Sequence, residues 1–215
     1  MPARFHDRID AATQLARALG GYARQPNVIV LGLPRGGVPV AAHVARVLQL
    51  PWDVLVVRKL GTPGHEELAM GAIASGRVQV LNPTVLHGYG VTPEDLSRVV
   101  AREQRELARR ERVYRGRRPP VTVHGRTVLL VDDGIATGST VRAALAALRQ
   151  RGATRIIVAS PVIAADTREA LAREADGVVC VLAPEDFAAV GQWYVDFSPT
   201  GDDEVTRLVA SAPPA

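Results

Sequence analysis

The strongest constraint on this chain is a set of short runs that stay apolar instead of alternating: "NVIVLGL" (Asn27 to Leu33), "DVLVVRK" (Asp53 to Lys59), "TVLLVDD" (Thr127 to Asp133), "RIIVASPV" (Arg155 to Val162) and "GVVCVLA" (Gly177 to Ala183). A strand with one wet face alternates, whereas a continuous apolar run needs cover on both faces, as in a parallel sheet. Helix-like segments lie between the runs at about Val38 to Leu48, Ser139 to Arg151 with Gly152 as C-cap, and Ala165 to Ala175. The repeated strand-helix order predicts a doubly wound α/β fold, with a mainly parallel five-stranded sheet and helices on both faces. With 215 residues, 47% of them apolar, the chain fills one core, so 1–215 is expected to be a single domain.

Between the second and third runs lies a long excursion, about 60–126. It holds a hairpin candidate, "GAIASGRVQVL", and a helix of about 24 residues starting at Pro93. An insertion of that size is usually functional or a subdomain. The tail "SAPPA" is expected to be disordered. The start "MPARFHDRID" is charged, and no run approaches the roughly 18 apolar residues of a membrane span, so a cytoplasmic protein without a membrane role is expected. The single cysteine, Cys180, reads as a buried, inert thiol, and the five histidines fall at no zinc-ligand spacing. With 26 Lys+Arg against 22 Asp+Glu, the balance permits anionic partners without choosing among them.

The segment "VLLVDDGIATGST" (Val128 to Thr140) carries the most chemistry. In open α/β sheets ligands bind beyond the carboxyl ends of the strands, where Asp132 and Asp133 stand. The residues after them, "GIATGST" (Gly134 to Thr140), lead into a helix, so their backbone N–H groups, with the hydroxyls of Thr137, Ser139 and Thr140, form an anion cradle. Two carboxylates beside a phosphate repel it unless they bind a neutral part of the same ligand. A sugar diol meets that need, because an ionised carboxylate accepts hydrogen bonds from hydroxyls, and Mg²⁺ bound to the diol would help. The ligand implied is a ribose 5-phosphate; an acidic strand end followed by an ordinary helix cap accounts for either half singly but not for the ordered pair.

A second cradle is "LGLPRGGVPVA", where Pro34, Arg35, Gly36 and Gly37 join the first strand to its helix. Two glycines let the backbone approach a ligand, and Arg35 supplies charge. The spacing is neither that of a dinucleotide-binding turn nor that of a P-loop. If the first strand and the "VLLVDD" strand are neighbours at the switch point, two anion sites flank one diol site, which describes a sugar with phosphates at both ends.

At these residues the chain resembles the type I phosphoribosyltransferases, whose signature is an apolar strand, two acidic residues and a small hydroxyl-rich loop. It departs from many members at Gly134, where they carry an aliphatic residue. "LPRGG" is similar to the family's pyrophosphate loop, and "VVRKLGTPG" (Val56 to Gly64) resembles the end of the second core strand in adenine-type members, followed by a mobile catalytic loop. The resemblance covers about 27–197. It implies Mg²⁺-dependent transfer of the phosphoribosyl group from phosphoribosyl pyrophosphate to a nitrogenous base, through an oxocarbenium-like transition state and without an enzyme nucleophile. By matching positions, Asp132 and Asp133 would hold the ribose hydroxyls and reach the metal through ligand or water. Ala136, Thr137, Gly138, Ser139 and Thr140 would wrap the 5-phosphate. Pro34, Arg35, Gly36 and Gly37, joined by Arg58 and Lys59, would take the pyrophosphate, although Arg58 and Lys59 read equally well as a solvated charge pair. A cis Pro34–Arg35 peptide in the ligand-competent state and a homodimer are also implied.

A carboxy-terminal hood, about 184–210, would cover the base. "PEDFAAVGQWYVDF" (Pro184 to Phe197) is similar to the hood of 6-oxopurine members, with Phe187 at the stacking position, Asp196 at the acidic position and Trp193 as a further hood residue. Trp193, Tyr194 and Phe197 read equally as the core of a small lid. The spacings differ by one residue in each interval, no lysine stands in "IIVASPVIA", and Ala136 replaces an aspartate proposed as the base catalyst. Hypoxanthine and guanine are therefore expected to be poor acceptors.

In the long helix, about 93–116, Arg98, Arg102, Arg105, Arg109 and Arg112 recur every three or four residues and share one face. A solvated face, partly neutralised by pairs such as Arg102 with Glu106 and Glu111 with Arg115, is the expected reading, and nucleic acid is not the expected partner. Some members of the family are RNA-binding regulators, so the alternative to an enzyme of nucleotide salvage is a regulator that binds phosphoribosyl pyrophosphate and contacts RNA or protein through this helix. A third reading is pyrophosphate release from a nucleotide-sugar.

Overall fold

The computed structural model describes residues 4–76 and 78–212. In chain order these form α1 (Arg8–Ala18), β1 (Val28–Gly32), α2 (Gly37–Leu48), β2 (Trp52–Val54), β3 (Val57–Thr62), β4 (His65–Ala74) and β5 (Val78–Leu81), then α3 (Pro83–Gly88) and α4 (Pro93–Arg115). The second half adds β6 (Thr127–Val131), α5 (Ser139–Gln150), β7 (Arg155–Val162), α6 (Ala165–Ala172), β8 (Gly177–Leu182) and α7 (Asp202–Ala210).

Five strands make one parallel sheet in the order β2-β1-β6-β7-β8. Every residue of β1 and β6 is buried, which is why those runs do not alternate. Successive residues point to opposite faces and enter separate cores. Val28, Val30, Leu129 and Val131 pack towards α1 and α2, while Ile29, Leu31, Val128 and Leu130 pack with Val141, Leu145 and Leu148 of α5. The chain leaves β1 for β2 on one side and later returns to β6 on the other, so the switch point falls between β1 and β6. At the edge, β8 is half-buried throughout, and Cys180 with it; burial still pushes that thiol's pKa up and keeps it protonated.

The second apolar run is not one strand. Only Trp52–Val54 joins the parallel sheet, and from Val57 the chain builds a second, antiparallel sheet in the order β3-β4-β5. Leu55 and Val56 between them are fully buried in different cores, and their backbone bonds link the two sheets: Leu55 N–H donates to Gly32 O, and Val56 O accepts from Ser75 N–H. Burial never lapses across the junction, so a change of sheet looks like one strand in the sequence. Arg58 and Lys59 consequently belong to the second sheet rather than to the end of a core strand.

Helix α4 begins at Thr92, whose hydroxyl caps Asp95 N–H, and Pro93 occupies its first turn. The expected pairs along it are replaced by others. Glu106 binds Arg109 and Arg110, and Arg115 is buried against Asp53 of β2. Segments 184–198 and 202–210 take different places. Trp193 and Tyr194 pack with Phe5 near the carboxyl end of β7, whereas α7 lies against α4 and buries Val205 and Val209 in the core that contains Leu107 and Tyr114. Of the tail, Ala212 is buried and 213–215 lie outside the described residues. Among the described residues no helix is long and apolar enough to cross a membrane.

Candidate active site

Strand β6 ends at Val131 and delivers Asp132 and Asp133 to the switch point. The pairing of β1 with β6 sets Gly32 beside Val131, so the turn after each strand meets the other. The approach is close enough to require glycine. A Cβ on Gly36 would lie 1.9 Å from Asp133 Oδ2, and one on Gly37 would lie 2.7 Å from Val131 O and 2.9 Å from Asp132 Oδ1. The Pro34–Arg35 peptide is cis, as the resemblance implies.

Asp132 Oδ1 accepts the Asp133 N–H at 3.0 Å. Burial and the neighbouring Asp133 charge push the Asp132 pKa well above the ordinary carboxylate value. Burial raises Asp133 too, and Arg8 opposes that rise. The Arg8 Nε donates to Asp133 Oδ2 at 2.9 Å with both side chains 13% exposed, and its Nη1 donates to Ser198 O at 2.7 Å. Its guanidinium carbon sits 4.0 Å from the centre of the Phe197 ring. Sequence reasoning missed Arg8, which looks like one more charge in a charged amino terminus and lies 125 residues from its partner. On the other side, Tyr194 donates its hydroxyl to Asp133 O at 2.6 Å, and burial holds its phenol protonated.

The loop after the acids is fixed by its carbonyls. Ala136 O accepts the Thr167 hydroxyl at 2.5 Å, and Thr137 O accepts Arg142 Nη1 at 2.7 Å. Gly138 adopts the left-handed region with φ +71° and opens α5 without a side-chain cap, which leaves the first-turn N–H groups to an incoming anion. The hydroxyls of Thr137 and Ser139 are 3.4 Å apart. A cavity of about 360 Å³ has Pro34, Arg58, Lys59, Ser139 and Thr140 on its walls. The structure thus brings five of the eleven expected phosphate-binding residues, from both anion turns and β3, to one space. Arg35 stands apart, exposed and 3.7 Å from Asp202 of α7. Arg58 and Lys59 are not a solvated pair: Arg58 Nη2 lies 2.6 Å from the buried Glu103 carboxylate, and Lys59 Nζ 3.2 Å from Glu67.

The segment expected to cover a base is arranged differently from its motif. Phe187 is half-buried with its ring centre 6.2 Å from that of Trp193, so the two rings pack on each other. Asp196 is exposed, and its carboxylate accepts the Ser198 N–H at 2.9 Å and hydroxyl at 2.6 Å, which holds its pKa down. Val190 fills the space beside Gly134, where a Cβ would come within 2.2 Å of its Cγ1.

Among the described residues no group of three or more His, Cys, Asp or Glu side chains forms a metal cage. Mg²⁺ does not need one, since it binds through one or two carboxylates while substrate phosphates and water complete the octahedron. Asp132 and Asp133 fit that donor set.

Comparison with known proteins shows which family the chain belongs to. The sequence profile of the phosphoribosyl transferase domain matches residues 3–198. The chain belongs to the phosphoribosyl transferase family. A Mycobacterium tuberculosis H37Rv protein provisionally named a phosphoribosyl transferase is 46% identical over 208 residues, which are 97% of this chain and 47% of that protein. The chain therefore spans about half the length of the curated relatives it matches. The crystal structure of TT1426 from Thermus thermophilus is 44% identical and superposes with a TM-score of 0.88, covering 96% of this chain and 97% of that one. The bifunctional protein PyrR of Clostridium acetobutylicum is 26% identical over 143 residues, 66% of this chain and 61% of its own.

Proposed function

We propose that this chain is a Mg²⁺-dependent type I phosphoribosyltransferase that moves the phosphoribosyl group of phosphoribosyl pyrophosphate onto a nitrogenous base in nucleotide salvage or a related pathway. The observation that carries the reading is the contact of Gly36 and Gly37 with Asp132 and Asp133: two anion-binding turns meet at an acidic pair that only glycine lets them approach. Asp132 and Asp133 accept the ribose hydroxyls, the 136–140 loop takes the 5-phosphate, and the Pro34 to Gly37 turn with Arg58 and Lys59 takes the pyrophosphate. Asp132 and Asp133 would hold Mg²⁺, through ligand or water, and the ion when bound would supply neutralising charge for the pyrophosphate. The chain's own part is electrostatic and positional: it fixes the sugar between two anion sites and offers cationic side chains to the leaving group. No side chain attacks the sugar.

We read 1–215 as one catalytic unit with an insertion at about 60–126 and a cover at about 184–210. Its cytoplasmic place rests on the charged start and the lack of a long apolar run in the sequence, and its dimeric state on the family resemblance. The regulator reading is favoured by one observation, the exposure of Arg98, Arg102, Arg105, Arg109 and Arg112 along α4. One experiment separates the two. The protein is incubated with phosphoribosyl pyrophosphate, Mg²⁺ and a panel of bases, and pyrophosphate release is followed together with nucleotide formation. Base-dependent turnover that stops on chelation of Mg²⁺ is expected; ligand binding without turnover on any base sinks the enzyme in favour of the regulator.

A further inference from the structure

We infer that Arg110 and Arg102 of α4 bind the pyrophosphate group, so that the inserted helix, and not only the Pro34 to Gly37 turn, forms the leaving-group site. The inference rests on the reading above. The cavity of about 360 Å³ lined by Pro34, Arg58 and Lys59 is lined also by Arg102 and Arg110 of α4, together with Ser139 and Thr140. The five-arginine stripe is therefore not uniform: Arg102 lines this cavity whereas Arg112 does not, and Arg110, one position off the stripe, does.

Charge in the cavity favours a polyanion. Its walls carry Arg58, Lys59, Arg102 and Arg110 against Glu66, Glu67 and Glu103. Glu103 is 8% exposed and fixed between Arg58 Nη2 at 2.6 Å and Arg102 Nε at 2.9 Å, so it stays in place. Glu66 and Glu67 are 71% and 100% exposed and sit 3.8 and 3.2 Å from Arg102 and Lys59. Such exposed pairs are weak and screened, so a more highly charged phosphate displaces them. With both glutamates displaced, four cations face one carboxylate.

Arg110 is already poised. Its Nε donates to Glu106 Oε1 at 2.7 Å, while among the described residues its two terminal nitrogens have no hydrogen bond or ion pair. Hydrogen bonds from Arg109 and Arg110 hold the Glu106 pKa down at about 2, so this anchor remains ionised and keeps the guanidinium aimed. A guanidinium with one edge anchored and the other open suits bidentate binding of a phosphate.

The test is calorimetry with inorganic pyrophosphate, ribose 5-phosphate and phosphoribosyl pyrophosphate, each with Mg²⁺. Arg110→Gln should weaken pyrophosphate binding about tenfold and Arg102→Gln about three- to tenfold, as loss of a charge-assisted bond does, with ribose 5-phosphate affinity unchanged. Arg110→Lys, which keeps the charge and loses the fork, should fall between, and melting temperatures report whether each variant is folded. Arg112→Gln should bind all three like the parent. The inference is overturned by unchanged pyrophosphate binding in Arg110→Gln, by an equal loss in Arg112→Gln, or by a loss confined to ribose 5-phosphate. A parent protein that binds neither phosphoribosyl pyrophosphate nor pyrophosphate overturns instead the phosphoribosyltransferase reading beneath it.

Discussion

Asp132 and Asp133 sit where ionisation is unfavourable, and that cost is a signature of use rather than of packing. Asp132 is raised by burial and by its neighbour, and Asp133 by burial against the relief from Arg8. A carboxylate raised above its unfolded value, about 3.9 for aspartate, keeps its proton longer in the native state. Its contribution is therefore fully present below about pH 4 and is lost as pH rises through the folded value. Asparagine, neutral at every pH, escapes this loss. In the ligand-free protein Asp132→Asn should melt with the parent near pH 4 and increasingly above it as pH rises, because only the parent must then ionise a buried carboxyl. Its affinity for phosphoribosyl pyrophosphate should fall about ten- to a hundredfold, and Asp133→Asn should lose as much. Melting curves at several pH values, paired with calorimetry, decide it; equal destabilisation at every pH assigns Asp132 to packing. The acidic pair was legible because its two members and their loop are adjacent in sequence. Arg8 was not, because a partner 125 residues away leaves no local pattern.

At the scale of elements, the junction between the two sheets is held by a charge pair that the helical spacing disguised. Arg115 follows Glu111 by four residues and reads as half of a surface pair on α4. Instead its Nη1 lies 2.5 Å from Asp53 Oδ2 of β2, its Nη2 donates to Val54 O, and the two side chains are 4% and 0% exposed. Breaking one side of such a pair leaves a buried charge uncompensated, so Arg115→Met should cost about 3 to 5 kcal/mol, whereas Arg115→Met with Asp53→Leu should recover most of it. Urea unfolding of the two variants measures this; a double variant as unstable as the single one means that Arg115 acts through something other than Asp53. The same region shows what periodicity could deliver. It placed α2, α4, α5 and β7 to within a residue or two, since each carries its own caps or bounds. It missed the passage from β2 to β3, because Leu55 and Val56 are as buried as the strands they join. A change of hydrogen-bonding partner does not alter hydrophobicity.

On the scale of the whole molecule, the two ends of the proposed site, one for the sugar phosphate and one for the acceptor, differ in how they are made. The first is local, built from two turns whose residues are contiguous in sequence, and the sequence locates both. The second is assembled from the amino terminus, β7 and the 184–198 segment, and no single motif contains it. Its residues give a negative prediction about the acceptor. Reading a purine's 6-oxygen calls for a donor on β7, and the one side-chain hydroxyl there, on Ser160, is fully buried and donates to Val162 O at 3.1 Å. Deprotonating a 6-oxopurine calls for a base, which Ala136 cannot be, and Asp196 is engaged by Ser198. The ring face of Phe197 is covered by Arg8, and Phe187 packs on Trp193, so neither offers an open platform for stacking. General acid-base help is worth about 10² to 10⁴-fold, so its absence should appear in turnover and not only in binding. Hypoxanthine and guanine should accordingly give the lowest kcat/KM among hypoxanthine, guanine, adenine, uracil and orotate, measured at saturating phosphoribosyl pyrophosphate and Mg²⁺. Should either prove the best of the five, Ala136 and the missing lysine are not functional departures, and the 184–198 segment must rearrange around the base until Phe187 or Asp196 reaches it.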